Sequence, residues 1–154
     1  MQDEAGEGNL QVERRITQRV FHYWESLCRG RAMPEESDID PDQLGEDWPY
    51  CFLLQTRDIE HIDQFNFTYL GEGILKAYKK AGLDPDNLFM VGPNAFALAP
   101  HFQYVAKTAK PFIDHNSFIA DNGMRVLYRQ CLLPVGSRAG KVEAIFGAML
   151  FQAR

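Results

Sequence analysis

The chain has 154 residues, 45% of them apolar and 24% charged, with a formal net charge of -5. This length and composition suit one domain with its own hydrophobic core and exclude disorder throughout. The acidic balance argues against nucleic-acid binding, which needs a basic surface to neutralise phosphates.

Residues 1–9, MQDEAGEGN, read as an acidic tail without the apolar core of a signal peptide. A helix follows over about 10–28, with Val12, Ile16, Val20, Tyr23, Trp24 and Leu27 at three- and four-residue spacing and Gly30 placed as its C-terminal cap. Residues 31–49 form an acidic connector holding Glu35, Glu36, Asp38, Asp40, Asp42, Glu46 and Asp47. In it, Asp40-Pro41 predicts a short helix, as N-cap and first helical position.

The remaining stretch, 50–154, reads as the core domain. Tyr50–Thr56 and Gln64–Leu70 predict strands, separated by a polar turn. Gly71–Lys80 predicts a helix with Ile74, Leu75 and Tyr78 on one side, stopped by Gly82. Asp84-Pro85 could open one more helical turn, and a second core helix is expected over about Phe96–Thr108, with Phe102 and Val105 as its apolar pair. Phe112–Ile119, Arg125–Leu133 and Val142–Phe151 predict three more strands, the first two joined at Asn122-Gly123. Short turns between sequential strands make an antiparallel meander. The last strand is apolar on both faces: Ala144, Phe146, Ala148 and Leu150 alternate with Ile145, Gly147, Met149 and Phe151. Both faces therefore need covers. The middle helices can supply one, and the first helix or a partner subunit the other.

No apolar run approaches the ~20 residues that span a bilayer, so no membrane insertion is expected. Cys28, Cys51 and Cys131 are odd in number and far apart. They read as reduced thiols, not as a disulfide framework or zinc site, and point to a cytoplasmic protein.

Three segments resemble a small single-domain PAS family found mainly in alphaproteobacteria. They are YWESLCRGRAMPEESDIDP (Tyr23–Pro41), WPYCFLL (Trp48–Leu54) running on to FTYLGEGI, and LYRQCLLPV with IFGAMLFQ (Leu127–Gln152). The chain departs from that family at AGLDPDNL, where a Gly-x-Asp-Leu-Thr-Gly-like stretch is expected. The resemblance implies an α+β fold: a PAS-like five-stranded antiparallel sheet, helices over one face, and an N-terminal helical extension. It also implies a bacterial sensory or regulatory protein in signal transduction. With no output segment in this sequence, such a protein acts in trans through protein–protein interaction, and no enzymatic activity is expected. Candidate ligand contacts in the core cavity are Phe67, Ile74, Tyr78, His101, Phe102, Val105, Arg129 and Cys131. Candidate homodimer contacts are Ile16, Val20, Tyr23, Trp24, Leu27, Met149 and Phe151.

Other constellations have plainer readings. Gly71-Glu72-Gly73 lacks the third glycine of a dinucleotide loop, since Lys76 stands there. Asp38, Asp40 and Asp42 begin like a calcium loop, but Gln43 and Pro49 occupy its glycine and glutamate positions. Asp58, Glu60, His61 and Asp63 sit in a hairpin tip without metal-ligand spacing. Asp114, His115 and Asn116 read as a polar edge strand, and no GxSxG accompanies them. His101 is the one haem-ligand candidate, which keeps a haem sensor or small-ligand carrier as the alternative. A cone-shaped α+β enzyme is a weaker one, for want of converging carboxylates. Arg129, amid apolar neighbours, calls for an anionic partner: a ligand acid or, preferably, a carboxylate of the connector.

Overall fold

The computed structural model describes residues 3–57, 66–82, 93–120, 122–137 and 139–153. Helix α1 (Asp3–Cys28) ends where Arg29 and Gly30 turn left-handed, at φ 50° and 81°. It takes in residues 3–9, which the sequence assigns to a tail.

The acidic connector straps onto α1. Asp40 caps α2 (Pro41–Leu44) by accepting the Asp42 N–H at 3.0 Å, as predicted. The Tyr23 hydroxyl accepts the Asp40 N–H at 2.8 Å. Arg19 grips Asp47 with two bonds, of 2.8 and 2.7 Å. A 3₁₀ segment (Gly45–Tyr50) then leads into β1 (Cys51–Gln55). Strand β2 (Asn66–Leu70), helices α3 (Glu72–Lys80) and α4 (Pro93–Thr108), and strands β3 (Phe112–Ile119), β4 (Arg125–Gly136) and β5 (Val142–Ala153) complete the chain order.

The five strands make one antiparallel sheet in the order β2-β1-β5-β4-β3. The predicted meander is present, and β1 pairs with β5, which puts the doubly apolar strand at the centre. Helices α3 and α4 cover one face, packing Ile74, Tyr78, Phe102 and Val105 on Phe52, Leu54, Ile145, Met149 and Phe151. Helix α1 covers the other, packing Ile16, Val20 and Trp24 on Leu133, Phe146, Ala148 and Leu150. Each such side chain, fully buried, stabilises the fold by about 1.5–3 kcal/mol. The Trp24 indole N–H also donates to the Pro134 carbonyl at 2.9 Å.

This packing corrects the expected dimer surface. Ile16, Val20, Trp24, Leu27, Met149 and Phe151 are buried within their own chain, and Tyr23 is half-buried against the connector. The apolar faces that motivate a homodimer are covered by α1, α3 and α4 of the same molecule.

Gly147 is where the sheet has least room. It stands opposite Leu132 on β4 and Phe52 on β1, and a Cβ there would fall 1.8 Å from the Cys131 carbonyl oxygen. Gly147→Ala must therefore force β4 away from β5. The expected cost is at least about 3 kcal/mol, read as a lower urea midpoint at unchanged slope. A cost below about 1 kcal/mol would contradict the β4–β5 register.

Candidate functional site

Alternate residues of β4 face opposite sides of the sheet. Val126, Tyr128 and Leu132 join the core under α3 and α4, whereas Cys131, Leu133 and Val135 join the core under α1. Gln130 shares the α4 side and is only 1% exposed. It stands directly across from Asp114 on the edge strand β3.

A polar cluster centres on its amide. Gln130 Nε2 donates to Asp114 Oδ1 at 3.0 Å. The same nitrogen lies 3.3 Å from Nδ1 of His101 on α4, which accepts when the imidazole carries its proton on Nε2. The Tyr128 hydroxyl donates to Asp114 Oδ2 at 3.4 Å, and His101 Nδ1 stands 4.0 Å from that oxygen. The His101 ring stacks on Phe112 with 4.6 Å between centroids, and Tyr104 meets Phe112 edge-on at 5.9 Å. The cluster thus ties α4, β3 and β4 together. The side chains of His101 and Asp114 are 27% and 19% exposed, so it opens to solvent beside the edge strand. Gln130 Oε1 is buried and, among the described residues, accepts no hydrogen bond. An unmet buried acceptor costs about 1–3 kcal/mol.

The predicted ligand residues divide between the two faces. Ile74, Tyr78, Phe102 and Val105 lie together under α3 and α4 with Phe67 at their margin, and His101 is beside them. Phe52 meets Phe67 and Phe102 at 5.9 and 5.6 Å, and Tyr78 meets Phe151 at 5.5 Å, so these side chains pack on one another. Arg129 and Cys131 alternate with Gln130 and face the opposite way, toward α1. Among the described residues no carboxylate pairs with Arg129 and its Nε is buried without a partner, while Asp47 and Asp38 of the connector bind Arg19 and Arg31. Burial pushes the Cys131 thiol up to about 12, and that of Cys51 also upward, which keeps both un-ionised at neutral pH.

The contacts of His101 leave its Nε2 without a partner among the described residues, so they neither supply nor exclude an iron ligand. Its Nδ1 is bonded to Gln130 and one ring face is covered by Phe112. Gly71 and Gly73 serve close packing: a Cβ on Gly71 would fall 2.1 Å from the Pro49 carbonyl oxygen, and one on Gly73 2.7 Å from the Tyr50 ring. Asp38 accepts from the Glu35 N–H and from Arg31, which holds its carboxyl below the usual range. The 58, 60, 61 and 63 cluster and the Asp84-Pro85 turn lie outside the described residues. His115 and Asp114 point to opposite faces of β3. Among the described residues, no three His, Cys, Asp or Glu side chains are grouped to hold a metal. An open groove of about 760 Å³, lined by residues including Thr56, Arg57, Lys107, Lys141 and Glu143, touches none of the predicted ligand contacts.

Sequence reasoning passed over Gln130. The signal was there: a lone amide at two-residue spacing between Tyr128 and Leu132, on a strand otherwise built for burial. The neighbouring arginine drew attention instead.

A family model described as PAS domain matches residues 12–150. No curated protein matches the sequence. Among solved structures, VqmA bound to DPO is 17% identical with a TM-score of 0.41, over 65% of this chain and 51% of that one. A structure of the Vibrio cholerae VqmA dimer in the absence of target DNA is 18% identical with a TM-score of 0.41, over 65% of this chain and 45% of that one. The chain spans about half the length of these structures.

Tyr128 reports on the cluster. Burial first, then the Asp114 charge and hydrogen bond, push its hydroxyl up to about 12. The fold favours the neutral phenol, so its stabilisation is complete below the ordinary value of 10.0 and is lost as pH rises through about 12. A difference titration of tyrosinate absorbance between wild type and Tyr128→Phe should show this group ionising late. Asp114→Asn should lower its pKa yet leave it above 10.0, because burial leads. Ionisation at the ordinary value would remove the buried hydrogen-bonded hydroxyl from the site.

Proposed function

The chain belongs to the PAS domain family, and from that premise we propose a sensory or regulatory module, acting in trans on another protein and modulated by a small molecule held between α4 and the sheet. The observation that carries this reading is the polar cluster joining His101 on α4 to Gln130 and Asp114 in the sheet. A ligand can exchange hydrogen bonds there without emptying the apolar core, and it shifts α4 by as much as it prefers one arrangement over another. Pro100 inside α4 removes one of that helix's own hydrogen bonds, which loosens it locally.

The module is read as non-catalytic, since both Asp114 oxygens already accept hydrogen bonds within the fold. A cytoplasmic setting agrees with the free thiols of Cys28, Cys51 and Cys131. Among the described residues no helix is long and apolar enough to cross a membrane. The proposal keeps a homodimer, formed through surfaces other than the packed faces of α1 and β5.

Native mass spectrometry and an absorbance spectrum of freshly purified protein test the ligand half. Cross-linking in the expressing cells, followed by reconstitution from two purified proteins, tests the partner half. The expected result is a bound organic mass together with a rebuilt complex whose affinity depends on it. A chain that carries only its own mass and rebuilds no complex ends this reading.

A further inference from the structure

We infer that Gln130 Oε1, the Asp114 carboxylate and the rings of His101, Phe112 and Tyr104 form the recognition end of a site for a small molecule with an apolar or aromatic body and an N–H-bearing head, an amine or a primary amide. This rests on the ligand-modulated reading above and specifies the ligand's chemistry.

Asp114 fixes the direction of hydrogen bonding. An ionised carboxylate only accepts, and the Gln130 amide faces it at 3.0 Å. The amide must present its nitrogen there, because the reversed orientation would set Oε1 against a carboxylate oxygen. Its second N–H points to His101 Nδ1 at 3.3 Å. Both amide hydrogens are then in use, and the carbonyl oxygen is buried with no donor. Whatever completes this set has to donate.

That requirement sorts ligands. A carboxylate or phosphate would bring no donor to Oε1 and would meet the Asp114 charge as well. A tertiary amide or a ketone brings no donor either. An ammonium or primary amide supplies the missing donor, as a hydroxyl would, and only the ammonium is also drawn by its charge to Asp114 in this partly desolvated place. The approach is aromatic. Tyr104 is 43% exposed and meets Phe112, which stacks on His101. Such a wall accommodates a flat or apolar body and attracts a cation to its faces.

The test uses the full ¹⁵N-labelled chain and four probes of similar size. Benzylamine and benzamide carry N–H donors; benzoate and N,N-dimethylbenzamide carry none. The expected result is saturating shifts of the Gln130 side-chain NH₂ and of α4, β3 and β4 amides with the first pair only, at the millimolar affinity suited to molecules so small. Gln130→Met keeps the volume and removes the acceptor, and should weaken benzylamine at least about 10-fold. Asp114→Asn should weaken benzylamine more than benzamide, since only the amine is charged. If Gln130→Met loses the native spectrum, that contrast between probes decides. Equal shifts with benzoate, unchanged benzylamine binding in both variants, or no shift by any probe at roughly 10 mM would each overturn the inference. Overturning it while the partner complex still forms leaves the regulatory reading standing; losing both removes both.

Discussion

Strand β5 turns Ala144, Phe146, Ala148 and Leu150 to one side and Ile145, Met149 and Phe151 to the other, and all of them are buried. A strand of this kind cannot sit at an edge or face water, because each exposed Phe, Leu, Ile or Met side chain would forfeit about 1.5–3 kcal/mol. The sheet answers by pairing β5 with β1 and β4. The helices answer by dividing between two faces, α1 on one and α3 with α4 on the other. Gly147 belongs to the same constraint. The strands approach so closely there that no side chain fits on that residue.

Both covers leave buried polar atoms unmet among the described residues: Arg129 Nε and Gln152 Oε1 on the α1 side, Gln130 Oε1 on the α4 side. Under α1, the Trp24 N–H finds the Pro134 carbonyl, and Asp47 finds Arg19. The Arg19 side chain is 55% exposed, so that pair contributes at most about 1 kcal/mol and serves chiefly to fix the connector. Under α4, the Gln130 amide meets Asp114 and His101, but its oxygen meets nothing. The unmet oxygen of Gln130 lies next to the edge strand, where solvent reaches His101 and Asp114.

The fold was legible because the two periods are strong where it matters. Three- and four-residue spacing marked α1, and the turn at Asn122-Gly123 and the apolar runs around it marked the meander. Asp40-Pro41 marked α2 through local capping chemistry, which needs no tertiary information. The site was less legible. Period two assigns Arg129 and Cys131 to one face and Gln130 to the other, but it does not say which face α4 covers. That depends on the pairing of β1 with β5, a contact between distant parts of the chain. For the same reason, the sequence left open whether α1 or a second subunit would cover Phe146 and Leu150. The Asp38, Asp40 and Asp42 run carried no metal signal, because its carboxylates serve Arg31, the Glu35 N–H and a helix cap.

The unmet acceptor under α4 bears on how a ligand would act under the proposed reading. Removing water from Gln130 Oε1 costs about 1–3 kcal/mol, and the fold has already borne that cost before any ligand arrives. A donor reaching this oxygen gains a hydrogen bond without repeating the desolvation of the acceptor. An apolar ligand of the same size gains no such difference, because Phe102, Tyr78 and their neighbours already bury one another. The sheet cannot yield much in response, since Gln130 lies on a strand paired on both sides. Helix α4 meets the sheet at this point through the hydrogen bond between Gln130 and His101 and through the contacts of His101 and Tyr104 with Phe112. Under that reading a ligand that engages the amide acts on one of these attachments, and the displacement falls on α4, whose Tyr104 is exposed and within reach of a partner protein.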